Sequence, residues 1–187
     1  MSRRVNPVYP AVITVGSIHG GTKHNVIPDE VDLQLTVRSY SDEVRTQLLD
    51  SIRQLAEDTC RAFGCPKPPE VTIKDAYTPA MYNDPALTAR VVEVFEAFFG
   101  TDRVGEMVPA MGGEDFGRYH RSQGFPAFMF RLGVVEASRW QQSQEPGSEP
   151  LPSLHSSRFA PDPAPSLETG VQATARLALA LLGGPAP

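Results

Sequence analysis

The stretch AVITVGSIHGGTKHNVIPDEVDLQLTVRS, residues 11–39, decides how the rest of the chain is read. In its second half Val31, Leu33, Leu35 and Val37 alternate with Asp32, Gln34, Thr36 and Arg38, the period-two signature of a strand with one apolar face. Arg38 therefore points away from that face. The first half, AVITVGSI, is rich in β-branched residues and runs into Gly20 and Gly21, and the connection HGGTKHNVIPDE has Gly, Asn and Pro turn chemistry. Two strands, paired as a hairpin or following in sequence, are expected here. Their connection is longer and more polar than a tight hairpin needs.

Outward from this segment, Ser41 is placed to cap a helix that begins with Asp42 and Glu43. Val44, Leu48, Leu49, Ile52, Leu55, Ala56 and Phe63 form its apolar stripe, and Gly64 and Pro66 end it. A further strand is expected over 70–76. Strand, strand, helix, strand describes most of a small α+β sandwich, one strand and one helix short of complete. TPAMYND, residues 78–84, reads as a boundary. Asp84 then caps a second helix with Pro85 in its first turn, an apolar arc from Leu87 to Phe98 and a closing Gly100. PAFMFRLGV, 126–134, reads as a short buried strand of an α/β layer. Residues 136–166 turn Pro-, Ser- and Gln-rich and are expected to form no regular element, and a last helix is expected from Ser166 to Gly183.

Composition narrows the classes. The 187 residues are enough for a real core, and 41% hydrophobic with 21% charged is ordinary for a globular protein, while 18 prolines imply much extended loop. A net charge of −5 without a basic cluster beyond Arg3 and Arg4 argues against nucleic-acid or anionic-membrane binding. There is no apolar run of transmembrane length, and MSRRVNPVYP lacks the apolar stretch of a secretory signal, so a cytoplasmic location is expected. Cys60 and Cys65 fit neither a redox pair of the C-x-x-C type nor a zinc knuckle and are expected as reduced thiols.

Four places could support chemistry, and each has a plainer reading. His19, Gly20, Gly21, Asn25 and Arg38 combine a backbone free to approach a ligand, an amide able to donate to an oxyanion and a fork able to hold a carboxylate; the same residues make an ordinary turn with a solvated Arg. Gly112-Gly113-Glu114-Asp115 could lead into an anion-binding helix start or simply cap a helix. His155, in LHSSRF, could be a metal ligand or base, or a surface histidine. His24 and His120 are expected to be solvated. No Gly-x-Ser-x-Gly elbow, His-Glu-x-x-His or phosphate loop is present.

SRRVNP, the 12–39 block, MGGEDF and LHSSRF, in that order and over essentially the whole chain, resemble the C-terminal part of zinc-dependent amidohydrolases: hippurate hydrolase, N-acyl-amino-acid and indoleacetyl-amino-acid hydrolases, and carboxypeptidase G-type metallopeptidases. The resemblance implies an α+β lid (antiparallel sheet with helix, incomplete) at 1–77, which is also the usual dimerisation domain. It is followed at 78–187 by the C-terminal portion of an α/β zinc-exopeptidase-like catalytic domain. It puts His155 on the last metal ligand. Asn25, as the catalytic residue, and Arg38 fall on the positions that hold the scissile carbonyl and the carboxylate, with His19, Gly112 and Gly113 also lining the substrate site. It further implies zinc or another divalent metal, two ions in a complete member, an N-acyl amino acid or small-peptide substrate, and a homodimer or association with a missing N-terminal half. The family's Cys-Gly-His-Asp motif, its Glu-Glu pair and its lid histidine do not occur in this sequence. The expectation is hydrolysis of an amide by the parent enzyme, with this chain alone binding metal weakly or not at all and leaving a sheet face uncovered. The alternative is a non-catalytic dimerisation or binding module.

Overall fold

The structure, a computed structural model, describes residues 4–183; Ser2 and Arg3 of the SRRVNP motif lie outside the described residues. Strands β1 (Ala11–Gly20) and β2 (Val31–Ser39) form an antiparallel hairpin, as the sequence pattern implies. Helices α1 (Asp42–Phe63), α2 (Pro85–Phe99), α3 (Gly117–Gln123), α4 (Ala137–Ser143) and α5 (Pro163–Leu182) follow, with a 3-10 turn at Thr101–Arg103. Contacts divide the chain into two units. One comprises the residues up to Tyr82 with Met107–Ala127; the other comprises Asn83–Glu106 with the residues from Phe128 onward.

In the first unit, register pairs Ile13 with Val37, Val15 with Leu35, Ile18 with Leu33 and Gly20 with Val31, so these residues share one apolar face. The opposite face has Val12 with Arg38, Thr14 with Thr36, Ser17 with Gln34 and His19 with Asp32. A bulge between Val15 and Ser17 interrupts β1. Ser41 accepts the Val44 amide and caps α1, whose Val44, Leu48 and Ser51 are buried. Cover on the hairpin is partial: Ile13 and Val37 are half-buried, whereas Ile18 remains 65% and Leu33 52% exposed. An uncovered apolar sheet face is what the sequence implied.

The second unit is built on α2 and α5. Asp84 accepts the Leu87 amide, Pro85 occupies the first turn, and Val91, Phe95 and Ala173 form a core flanked by Leu87, Phe99, Val104, Phe128 and Leu177. Phe95 meets Phe99 and Phe130 edge-on. Asn83 fastens residue 129 by two hydrogen bonds, its amide donating to the Met129 carbonyl and its oxygen accepting the Met129 N–H, both at 2.9 Å.

Several expectations are corrected. Residues 70–76 keep alternation, with Val71 and Ile73 half-buried between exposed Thr72 and Lys74, but pair with no strand. Residues 126–134 likewise pair with no strand, although Ala127 is buried and Phe128 packs on the α2–α5 core. The α/β layer expected there is thus not formed among the described residues, whose sheet has two strands. Alternation reports which side of a chain is apolar; a strand also needs a neighbour to accept its backbone hydrogen bonds. Within 136–166 a helix does form, α4, because the Glu136 carboxylate accepts the Ser138 and Arg139 amides. The last helix begins at Pro163, three residues before Ser166, since proline is acceptable in a first turn. Cys60 and Cys65 are joined in a disulfide, where reduced thiols were expected. No helix among the described residues is long and apolar enough to cross a membrane.

Candidate substrate site

The six candidate site residues fall into three places. Arg38, near the C-terminal end of β2, donates from its guanidinium to the Met111 carbonyl at 2.5 Å. A residue of the hairpin and the segment leading into Gly112-Gly113, 73 positions apart in sequence, therefore meet in the first unit.

Further contacts hold that segment. Arg121 forms a bidentate pair with Asp42, at 2.7 and 2.9 Å, and touches the Tyr77 hydroxyl. Arg118 donates to the Tyr77 carbonyl, and the Arg45 guanidinium lies over the Tyr77 ring, 3.8 Å from its centre. Hydrogen bonding to Arg121, reinforced by its charge, holds the Asp42 carboxyl below the usual carboxylate range, and the same pair raises Arg121.

His19 and Asn25 sit at the opposite end. His19 is across from Asp32, six residues along β2 from Arg38, which is a separation of about 20 Å at strand rise. Asn25 belongs to a loop, 21–30, whose residues are all exposed. Asn25 and Arg38 thus lie toward opposite ends of one hairpin.

The glycines separate along the same line. At Gly20 a Cβ would come within 2.8 Å of the Val31 side chain, and Gly21 has φ +71°, so both are explained by the turn itself. Gly112 has open space where a Cβ would be, and Gly113 meets only Thr78 at 3.8 Å; neither has positive φ. Local folding does not require glycine at either position.

Glu114 accepts the Phe116 amide at 3.2 Å, a local turn contact. The glycines do not lead directly into a helix: α3 begins at Gly117, where a Cβ would strike the Ala80 carbonyl at 2.7 Å. His120 is half-buried, its Nδ1 2.8 Å from the Phe125 carbonyl and its ring 5.9 Å from Tyr82, which corrects its reading as solvated; His24 is exposed as expected.

His155 belongs to the second unit and is exposed. It is the one non-glycine residue with positive φ among the described residues, at 70°. The Ser156 amide donates to the Ser153 carbonyl at 3.1 Å, and His155 fills the left-handed position of that turn. Such a conformation is unfavourable for a side chain and costs on the order of 1–3 kcal/mol. The disposition of His155 relative to Arg38 is a matter of two separate units.

A two-ion centre needs several convergent donors. Among the described residues no group of three or more His, Cys, Asp and Glu side chains is suited to hold a metal ion, so the donor set does not fit such a centre.

Residues 6–63 match the peptidase dimerisation domain family. Thermostable carboxypeptidase 2 of Saccharolobus solfataricus is 34% identical over 71% of this chain and 32% of its own length. The N-acetyldiaminopimelate deacetylase of Enterococcus faecalis is 36% identical over 87% of this chain and 38% of its own length. Among solved structures, the Bacillus subtilis YXEP protein, described as a dinuclear metal binding peptidase from the M20 family, superposes with a TM-score of 0.69 and 25% identity over 94% of this chain and 43% of its own. The chain thus spans about two fifths or less of the curated relatives described. The hairpin and α1 coincide with the matched dimerisation domain, the relatives run on through α2 and beyond, and the chain belongs to the M20 family of metallopeptidases and amidohydrolases.

Proposed function

We propose that this chain is the C-terminal part of a metal-dependent amidohydrolase acting on N-acyl amino acids or small peptides, that it supplies substrate-binding groups, and that it is catalytically incomplete alone. The observation that supports this reading is the Arg38 contact with the Met111 carbonyl, which joins two distant pieces of the proposed substrate site. Gly112 and Gly113, not required by the fold, suit a backbone that a ligand approaches closely. The names of the relatives, a carboxypeptidase and a deacetylase of an N-acetylated diamino acid, are of the same chemical class.

In this reading Arg38 binds the substrate carboxylate, releasing Met111, and Asn25 donates to the developing oxyanion. Because Asn25 and Arg38 are far apart on one hairpin, they serve two different sites, with Asn25 and His19 reaching that of a second subunit. His155 is the chain's single contribution to a zinc or other divalent-metal centre whose remaining donors lie outside it. In this proposal residues 1–77 are the partial lid or dimerisation domain and 78–187 the C-terminal part of the catalytic domain, and a cytoplasmic location with no nucleic-acid or membrane partner goes with it.

The purified chain is expected to bind zinc weakly and to leave hippurate intact. Two tightly bound zinc ions per chain in calorimetry, or robust hippurate hydrolysis, would refute the incompleteness. Mixed with a polypeptide carrying the Cys-Gly-His-Asp and Glu-Glu motifs, it should regain activity, and His155→Gly should abolish that gain. Glycine relieves the positive φ, so the variant should be no less stable than the parent in a thermal melt.

A second reading, a non-catalytic dimerisation module, is favoured by the exposed face around Ile18 and Leu33 within the matched domain. Light scattering showing a folded, strictly monomeric chain would count against it.

A further inference from the structure

The cysteine pair lies at the C-terminal end of α1, in a backbone motif that accounts for it. Gly64 has φ 67° and ψ 39°, the left-handed cap; its N–H donates to the Arg61 carbonyl at 3.3 Å, and the Cys65 N–H donates to the Cys60 carbonyl at 2.9 Å. These two bonds are those of a Schellman cap, in which the residue after the left-handed position comes to rest against the residue five positions before it, usually as an apolar contact. Here the two contact residues are Cys60 and Cys65, with Cα atoms 5.0 Å apart, inside the range a disulfide spans.

The surroundings differ from those of a buried structural staple. Cys65 is exposed and Cys60 half-buried, the adjoining Phe63 is 85% exposed, and Arg61 and Lys67 flank the pair. Both backbone bonds are independent of the sulfur–sulfur bond, so the thiols stay apposed when it opens. A bond that is reachable by solvent, closes a loop of a few residues and needs no backbone change to form has the character of an exchangeable disulfide.

We propose that Cys60 and Cys65 form a reversible thiol–disulfide site at the end of α1, exchanging with small-molecule thiols and disulfides. In the oxidising direction one molecule of a small disulfide such as oxidised glutathione is attacked by one cysteine, releasing one glutathione thiol. The second cysteine then displaces the other glutathione, so that two protein thiols become one protein disulfide and one small disulfide becomes two thiols. This site is independent of the amidohydrolase reading.

The test equilibrates the full chain with defined ratios of reduced and oxidised glutathione, traps thiols by alkylation and counts them by mass, in native buffer and in denaturing guanidinium chloride. The cap should raise the equilibrium constant for closing the disulfide roughly tenfold or more in native buffer. Equal constants in the two conditions, or a pair that stays fully reduced in excess oxidised glutathione, would overturn the proposal. Cys60→Ser and Cys65→Ser should each leave a thiol that forms one mixed disulfide with glutathione; a thiol that refuses it would overturn the exchange. Gly64→Ala, which strains the left-handed cap, should remove most of the native advantage, and an undiminished advantage would show that the cap does not position the pair.

Discussion

Helices α1 and α2 begin alike, each with a side-chain cap that accepts the third amide on, but they end in different circumstances. On α2, Val91 and Phe95 are enclosed by α5 and by the extended 128–130 segment, and aromatic edges close the remaining gaps. On α1, burial is confined to Val44, Leu48 and Ser51 in its N-terminal half, while Leu55 and Phe63 are open. The hairpin below it is apolar well beyond what α1 reaches. The helix–helix core closes because two apolar stripes meet, those of α2 and α5, although the two are distant in sequence, whereas a two-stranded sheet with one helix leaves more apolar surface than one helix can cover.

The difference can be broken by mutation. Phe95→Ala should destabilise the second unit by about 3–5 kcal/mol, read from denaturant unfolding, because its aromatic neighbours leave a cavity. Leu48→Ala should cost about 2–5 kcal/mol, at the lower end of that range, since the half-covered hairpin gives its surroundings room to collapse. A loss at Leu48 larger than at Phe95 would reverse the comparison.

Asp42→Asn removes both the bidentate partner of Arg121 and a first-turn carboxylate, and should cost about 0.5–1 kcal/mol, limited by solvent access to the pair. The native carboxyl titrates below its unfolded value, so its contribution is complete above the ordinary carboxylate range and is lost as pH falls through the depressed pKa. Thermal melts of parent and variant should therefore differ at neutral pH and converge at acid pH. The smallest change in stability is expected for Leu33→Asp, less than about 0.5 kcal/mol at a half-exposed strand position. The same variant should weaken self-association in light scattering. Severe unfolding by Leu33→Asp would mean that the hairpin face is more fully used than the structure shows.

How much of this was legible in the sequence depends on the range of the interactions. The hairpin, both caps and the Gly64 and Gly100 stops are local, and the residues that make them are adjacent in the chain. Residues 70–76 and 126–134 have the pattern of strands, but pattern does not provide a ladder partner. The helix at Ala137–Ser143 was hidden in Pro- and Ser-rich composition, though Glu136 followed by Ser138 was the available signal. The spacing of the cysteine pair matches no known dithiol motif, and the signal that brings the two together is Gly64 between them. At the candidate site, the apposition of Arg38 with Met111 and the left-handed backbone of His155 are tertiary facts that no local pattern contains, and the span between Asn25 and Arg38 followed only from register.

The bulge in β1 is the reason its two halves agree. Strict alternation from Val15 would turn Ser17 and His19 onto the face of Val15; the extra residue at Gly16 instead brings Ile18 there, opposite Leu33, and sends His19 to the polar side with Asp32. Straightening β1 with Gly16 kept would thus reverse sidedness in the outer half of one strand, whereas deleting Gly16 would leave Ile18 opposite Leu33 in a regular ladder. In the straightened strand Ile18 would exchange places with its neighbours, and a histidine would be presented to whatever meets the apolar face.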